Sequence, residues 1–220
     1  MHLCRVPVIF HLLLVGIITG WSVMPDPAGA IDVKLTMEEA KKALAAGREP
    51  MESANTPEDV KKVLQQASTS TRIGADPEKD PCGASAILRT KRFWLESFGR
   101  KEATESKKQK TEVRMPEDKI QKYLDMPFLE MEFQLCGDDE YFAEGVGVAL
   151  QQGSKTVKPV DSEIKADRGR KNEGQGPAYR SRFTTRFAYD SFDPNAKAKV
   201  VIFFQDGKTI ELDTDLSKVK

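Results

Sequence analysis

Phe128-Leu129-Glu130-Met131-Glu132-Phe133-Gln134-Leu135-Cys136 alternates apolar and polar residues without a break. Successive side chains of an extended backbone point to opposite faces, so this pattern predicts a strand with Leu129, Met131, Phe133 and Leu135 inward and Glu130, Glu132 and Gln134 outward. Period two recurs downstream. Phe142 to Leu150 is expected to form a strand that buries Val146, Val148 and Leu150, joined to the first by a hairpin loop at Gly137-Asp138-Asp139-Glu140. Tyr179 to Tyr189 places Tyr179, Phe183, Phe187 and Tyr189 on one face and Arg180, Arg182 and Arg186 on the other. Val200 to Phe204 and Thr209 to Leu212 flank Asp206-Gly207, a strong hairpin signal. Ala84 to Phe98 reads as a further, less regular strand, and a short helix from Pro116 to about Leu124 interrupts the series. The fold class expected from these segments is mainly β: an antiparallel β-sandwich, immunoglobulin-like or related, over residues 82–220.

Residues 31–81 have a different texture. Thr36-Met37-Glu38-Glu39 is a capping box, and the helix it opens is expected to end near Gly47. Thr56-Pro57-Glu58-Asp59 opens a second helix, with a threonine cap, proline in the first turn and acids at the positive end of the helix dipole. Its apolar stripe of Val60, Val63 and Leu64 is narrow. The segment therefore reads as a lightly packed helical extension of the β domain, and one alternative role for the chain is a structural subunit that docks through these helices.

Residues 1–30 read as a signal peptide: Arg5, an apolar run from Val6 to about Ile18, and the small-residue motif Ala28-Gly29-Ala30. The rival reading is an uncleaved membrane anchor over residues 6–23, the only route by which membrane contact is expected. Both histidines, His2 and His11, and one of the three cysteines, Cys4, lie in this segment. Cleavage would leave a secreted or periplasmic chain without imidazole, which excludes Ser-His-Asp and Cys-His catalysis and His-ligated metals. In an oxidising compartment the remaining Cys82 and Cys136 are expected to form a disulfide. None of Asn55, Asn172 and Asn195 lies in a glycosylation sequon.

The whole chain carries 34 basic and 34 acidic residues; removing Arg5 and Asp26 leaves 33 of each. That balance argues against nucleic acid as a partner, because no global positive field exists to draw it. Locally the charge is segregated. Lys165 to Arg186 holds seven bases and two acids, whereas Asp125 to Glu144 holds seven acids and no base.

The basic stretch contains a glycine-rich loop, Pro159 to Pro177, followed by the arginine face of the Tyr179 strand. Guanidinium groups beside glycines suit bidentate recognition of an oxyanion. Arg168, Arg170, Lys171, Arg180, Arg182 and Arg186 are therefore the candidate ligand-binding residues. The competing structural reading is that acidic and basic strands lie side by side and neutralise one another. The leading functional expectation is a non-catalytic binding or envelope-associated module for an anionic ligand or envelope protein, with no cofactor and no metal. A carboxylate hydrolase using Asp190 and Asp193, or the acidic loop from Asp138 to Glu140, is the alternative.

Overall fold

The computed structural model describes residues 31–173 and 176–219; the expected signal or anchor lies outside the described residues. Thirteen elements follow one another: α1 (Met37–Ser53), α2 (Pro57–Thr69), β1 (Arg72–Gly74), β2 (Ser85–Arg89), α3 (Lys91–Gln109), α4 (Glu117–Leu124), β3 (Phe128–Gly137), β4 (Gly147–Gln152), β5 (Lys155–Val157), β6 (Arg170–Lys171), β7 (Tyr179–Ala188), β8 (Lys197–Phe203) and β9 (Thr209–Asp215). The strands form two antiparallel sheets, ordered β1-β2-β3-β7-β6 and β5-β4-β8-β9.

β3 is the central strand of the larger sheet and buries every second residue, Leu129, Met131, Phe133 and Leu135. It pairs along its whole length with β7, from Phe128 opposite Ala188 to Gly137 opposite Tyr179. Phe133 and Phe183 stack across this pair with ring centroids 4.9 Å apart. From the smaller sheet Val148, Leu150, Val200, Ile202 and Leu212 join the same core, so both sheets share one apolar interior. β8 and β9 form the hairpin expected at Asp206-Gly207, where Gly207 adopts φ 84°. A positive φ of this kind costs a glycine little and a residue with a side chain much more.

Three expected elements differ. Only Ser85–Arg89 of the Ala84 to Phe98 segment is a strand, because the Thr90 hydroxyl accepts from the Phe93 amide at 3.0 Å and starts α3. Leu95, Gly99 and Ala103, four residues apart, then turn to one buried helix face. The segment Phe142 to Leu150 becomes a strand only at Gly147, after turns that end in Gly145 at φ 64°. Consequently the loop after β3 is not a hairpin; it carries the chain from one sheet to the other.

The helix from Thr36 also runs past Gly47 to Ser53. Gly47 lies inside it because α1 crosses α3 there: a Cβ on Gly47 would meet the Glu96 carbonyl oxygen at 2.0 Å, and one on Gly99 the Leu44 carbonyl oxygen at 2.0 Å. Ala40, Ala43, Leu44, Leu95 and Ile120 form a second small core between α1, α3 and α4. Beside it the buried Arg48 donates to Glu102 at 3.1 Å and to the Val113 carbonyl at 3.0 Å. α1 carries no basic residue in its last turn. Lys107 of α3 substitutes, donating to the carbonyls of Met51 at 2.7 Å and Ala54 at 2.6 Å. Within residues 31–81, α1 is thus a packed element, and Ile31 and Ile73 reach the main core. α2, in contrast, buries none of its residues.

The helix crossing generates a test. Gly99→Ala should gain about 1 kcal/mol of helix propensity. The added methyl meets backbone, which has no rotamer to escape into, and overpacking of this kind costs about 1–3 kcal/mol. Steric cost should win, lowering the urea midpoint; an unchanged or raised midpoint would mean the helices can part without loss.

Candidate functional site

Cys82 and Cys136 form a disulfide with Cα atoms 5.3 Å apart. The β2–β3 register leads directly to it, since Ser85 lies opposite Gln134, and Cys82 is three residues before the one and Cys136 two residues after the other. The bond closes a 54-residue separation, which stabilises by about 4 kcal/mol through the lost entropy of the unfolded chain. It is consistent with an extracellular or periplasmic location, and no helix among the described residues is long and apolar enough to cross a membrane.

The basic segment after β5 is laced along the free edge of β7. Val160 N–H donates to the Arg186 carbonyl at 2.8 Å, Asp167 N–H to the Arg182 carbonyl at 3.1 Å, and Asn172 N–H to the Ala178 carbonyl at 2.8 Å. Arg170 and Lys171 form β6 against Arg180 and Tyr179. Backbone pairing therefore sets the basic loop beside the arginine face. A groove of about 620 Å³ results, lined by Asp167, Arg168, Arg170, Lys171, Asn172, Glu173, Arg180 and Arg182.

Five of the six residues singled out from the sequence line this groove, and each has a different environment. Arg168 is engaged: its Nε donates to Glu140 at 2.9 Å, and its guanidinium lies 5.4 Å from the Tyr141 ring centre. That pairing raises its pKa further above the ordinary arginine value. Arg180 donates to the Pro81 carbonyl at 3.3 Å and to Asn172 Oδ1 at 3.1 Å, while its buried Nε has no partner among the described residues. Arg182 reaches, among the described residues, only the neutral Gln134 Oε1, at 3.3 Å. Arg170 and Lys171 are exposed, and neither has a carboxylate partner among the described residues.

Asn172 braces the floor. Its Nδ2 lies 3.1 Å from Cys82 Sγ, and its Oδ1 takes the Arg180 donor. Gln134 Nε2 donates to the same Pro81 carbonyl at 3.3 Å. The disulfide thus holds the Pro81–Cys82 backbone against the two side chains that orient Arg180 and Arg182.

Arg186 lies outside the groove. It is ion-paired with Asp161, its Nε donating to Oδ1 at 3.0 Å and its amide to Oδ2 at 2.9 Å, and its guanidinium sits 4.8 Å from the Phe128 ring centre. Asp161 was not visible as a partner in the sequence, because 25 residues separate the two. Three of the five acidic candidates, Asp193, Asp139 and Glu140, are likewise engaged in structural bonds. Asp193 Oδ1 accepts from the Asn195 amide at 2.8 Å, Asp139 Oδ1 from the Tyr141 amide at 2.8 Å, and Glu140 from Arg168. No group of three or more potential metal-ligating side chains occurs among the described residues.

Comparison with protein-family models, with curated proteins and with solved structures found no match to this chain.

The Arg186 pair predicts a pH dependence. Hydrogen bonding from Arg186 holds the Asp161 carboxyl below its ordinary value, against the opposing effect of burial. A depressed folded-state pKa gives stabilisation that is complete above the ordinary carboxylate range, near pH 4, and is lost as pH falls through the depressed value. Asp161→Asn should therefore lower stability at pH 7, and the gap to the parent protein should close toward pH 3 in urea unfolding. A gap independent of pH would place the stabilisation elsewhere.

Proposed function

We propose that this chain is a non-catalytic binding module of an exported protein, in which two antiparallel sheets pack as a sandwich and the outer face of the larger one captures an anionic ligand. The shared apolar core supports the sandwich reading. The groove supports the ligand: five cations against two carboxylates line it, and one of its cations faces another directly, Arg170 opposite Arg180 across β6 and β7. Like charges placed directly opposite destabilise a sheet. The single observation that carries the reading is that Arg170, Arg180 and Arg182 converge on one concavity with no carboxylate on any of them among the described residues. The hydrolase reading loses ground because Asp193, Asp139 and Glu140 are committed to turns and to Arg168.

Tripolyphosphate is a suitable probe, because an anion that relieves the repulsion and binds only the folded state raises thermal stability by mass action. Binding should be seen by calorimetry and as a rise in the unfolding temperature. The double variant Arg170→Ala/Arg182→Ala should bind at least tenfold more weakly, with intrinsic stability changed by no more than about 0.5 kcal/mol per substitution, as is usual for exposed sites. Equal affinity in the variant, or lost stability with affinity retained, would show that these arginines brace the sheet and do not recognise a ligand.

A further inference from the structure

The strand register divides the outer face of the five-stranded sheet into two halves with opposite electrostatics. In one half the expected neutralisation occurs. Arg89, Glu130 and Arg186 are in register across β2, β3 and β7; Arg89 pairs with Glu130 at 2.8 Å and with Glu132, and Arg186 pairs with Asp161. In the other half no carboxylate occupies a strand position. One row reads Gly74, Ser85, Gln134, Arg182 and the next Cys136, Arg180, Arg170. The glutamates of β3 stop at Glu132, and Gln134 stands where a third would continue the alternation.

Arg72 on β1 stands in the row between the two halves, with Ile87, Glu132 and Thr184; Arg89 takes Glu132, and the Arg72 side chain turns into the second half. Its Nη1 donates to Ser85 Oγ at 2.9 Å, while Arg182 reaches Gln134, so the two arginines lean toward each other over the Ser85–Gln134 pair. Their proximity registers electrostatically: burial first, and then the Arg182 charge, push the Arg72 guanidinium below its ordinary value, opposed by Asp76. The cations Arg170, Arg180, Arg182 and Arg72 therefore follow one another from the β6 edge to the β1 edge, whereas Lys171, opposite Tyr179, belongs to the alternate strand face. Four strand spacings make that path about 19 Å. Along β7, Arg180 and Arg182 are two residues apart on one face, so their Cα atoms are about 7 Å apart.

A compact anion would satisfy one or two of these groups and leave the others repelling. Among the described residues the groove is lined by no aromatic or aliphatic residue, since each one lining it is charged or an asparagine. Unstacked nucleobases would find no aromatic platform there.

We infer, resting on the anion-binding reading above, that the ligand is a linear polyanion, a chain of oxyanion groups on a non-aromatic backbone, lying across the strands from Arg170 to Arg72. Polyphosphates and acidic glycans share this chemistry. Their anionic groups recur along a chain, and each guanidinium can take one bidentately.

The experiment compares tripolyphosphate, long-chain polyphosphate and polygalacturonate on the disulfide-intact protein, on Arg72→Gln and on Arg170→Ala/Arg182→Ala, with thermal unfolding as a check on folding. Glutamine at position 72 keeps a donor for Ser85 and removes the charge at the far end of the path. One long chain should bind at least tenfold more tightly than tripolyphosphate, with log affinity falling against log salt with a slope of about −3, as release of counterions from roughly four contacts requires. Arg72→Gln should reduce that slope by about one and remove most of the length advantage, while leaving tripolyphosphate binding unchanged. Whichever polymer shows this pattern identifies the source of the anionic groups. Equal affinity per site for short and long chains, or insensitivity of the long chain to Arg72→Gln, overturns the track and leaves the groove reading intact. Failure of all three probes to bind, or binding unaffected by the double variant, overturns both.

Discussion

The ten-residue antiparallel pairing of β3 with β7 is the constraint on which the rest of the structure depends. It sends Leu129, Met131, Phe133, Phe183 and Phe187 into the core shared by both sheets, and Glu130, Glu132, Gln134, Arg180, Arg182 and Arg186 to the opposite face. Because the side-chain period is two, slipping this register by one residue would exchange the two sets. Five buried apolar side chains, at about 1.5–3 kcal/mol each, hold the register against such a slip. The same pairing decides which charges meet: Glu130 opposite Arg186, and Arg182 opposite a neutral Gln134. A device that stabilises the sheet therefore also writes the charge pattern on its exposed face.

The parts of the fold legible in the sequence are those with local causes. Strict alternation marked β3 and β7, Asp206-Gly207 marked the β8–β9 turn, and the Thr36 capping box and the Thr56 cap with its following proline marked the starts of α1 and α2. The parts that were not legible have distant causes. α3 is rich in Phe and Trp near its start, which mimics a strand; its helical character depends on the single Thr90 cap and on the buried Leu95, Gly99 and Ala103 stripe against α1. Gly47 looks like a helix stop until its neighbour across the crossing, Glu96, is known. The loop after β3 carries hairpin residues, yet whether a chain turns back within one sheet or passes to another depends on which partner strand the core provides.

A similar division holds for the groove. Composition pointed to Arg168, Arg170, Lys171, Arg180 and Arg182, because a cluster of bases in a glycine-rich segment is visible without any structure. Their convergence was not visible, since it follows from the hydrogen bonds that tie Asp167 and Asn172 to the β7 edge. Arg186 has the same strand face and the same residue type, and only tertiary contact with Asp161 separates it from the others. Arg72 was missed for the opposite reason: a lone arginine in a three-residue strand carries no local signal, the pairings set it one row away from Arg182, in register with Ile87, Glu132 and Thr184, and only its bond to Ser85 turns it toward Arg182. Glu140 drew notice as part of an acidic loop, and its actual role is to hold Arg168.

The Cys82–Cys136 bond spans the stretch that contains β2, α3, α4 and most of β3, so two helices and two of the five strands of the larger sheet lie within one covalently closed ring. A single break of the main chain anywhere between Gly83 and Leu135, including the exposed connection from α3 to α4, opens that ring without parting the molecule. The severed ends remain tethered at the sulfur bridge, and the β2–β3 and α1–α3 contacts keep both pieces in place. Proteolytic nicking in α3 or α4 is thereby separated from loss of the groove, which abuts the bridge through Asn172 and keeps its Pro81 and Asn172 braces for as long as the sulfurs stay joined.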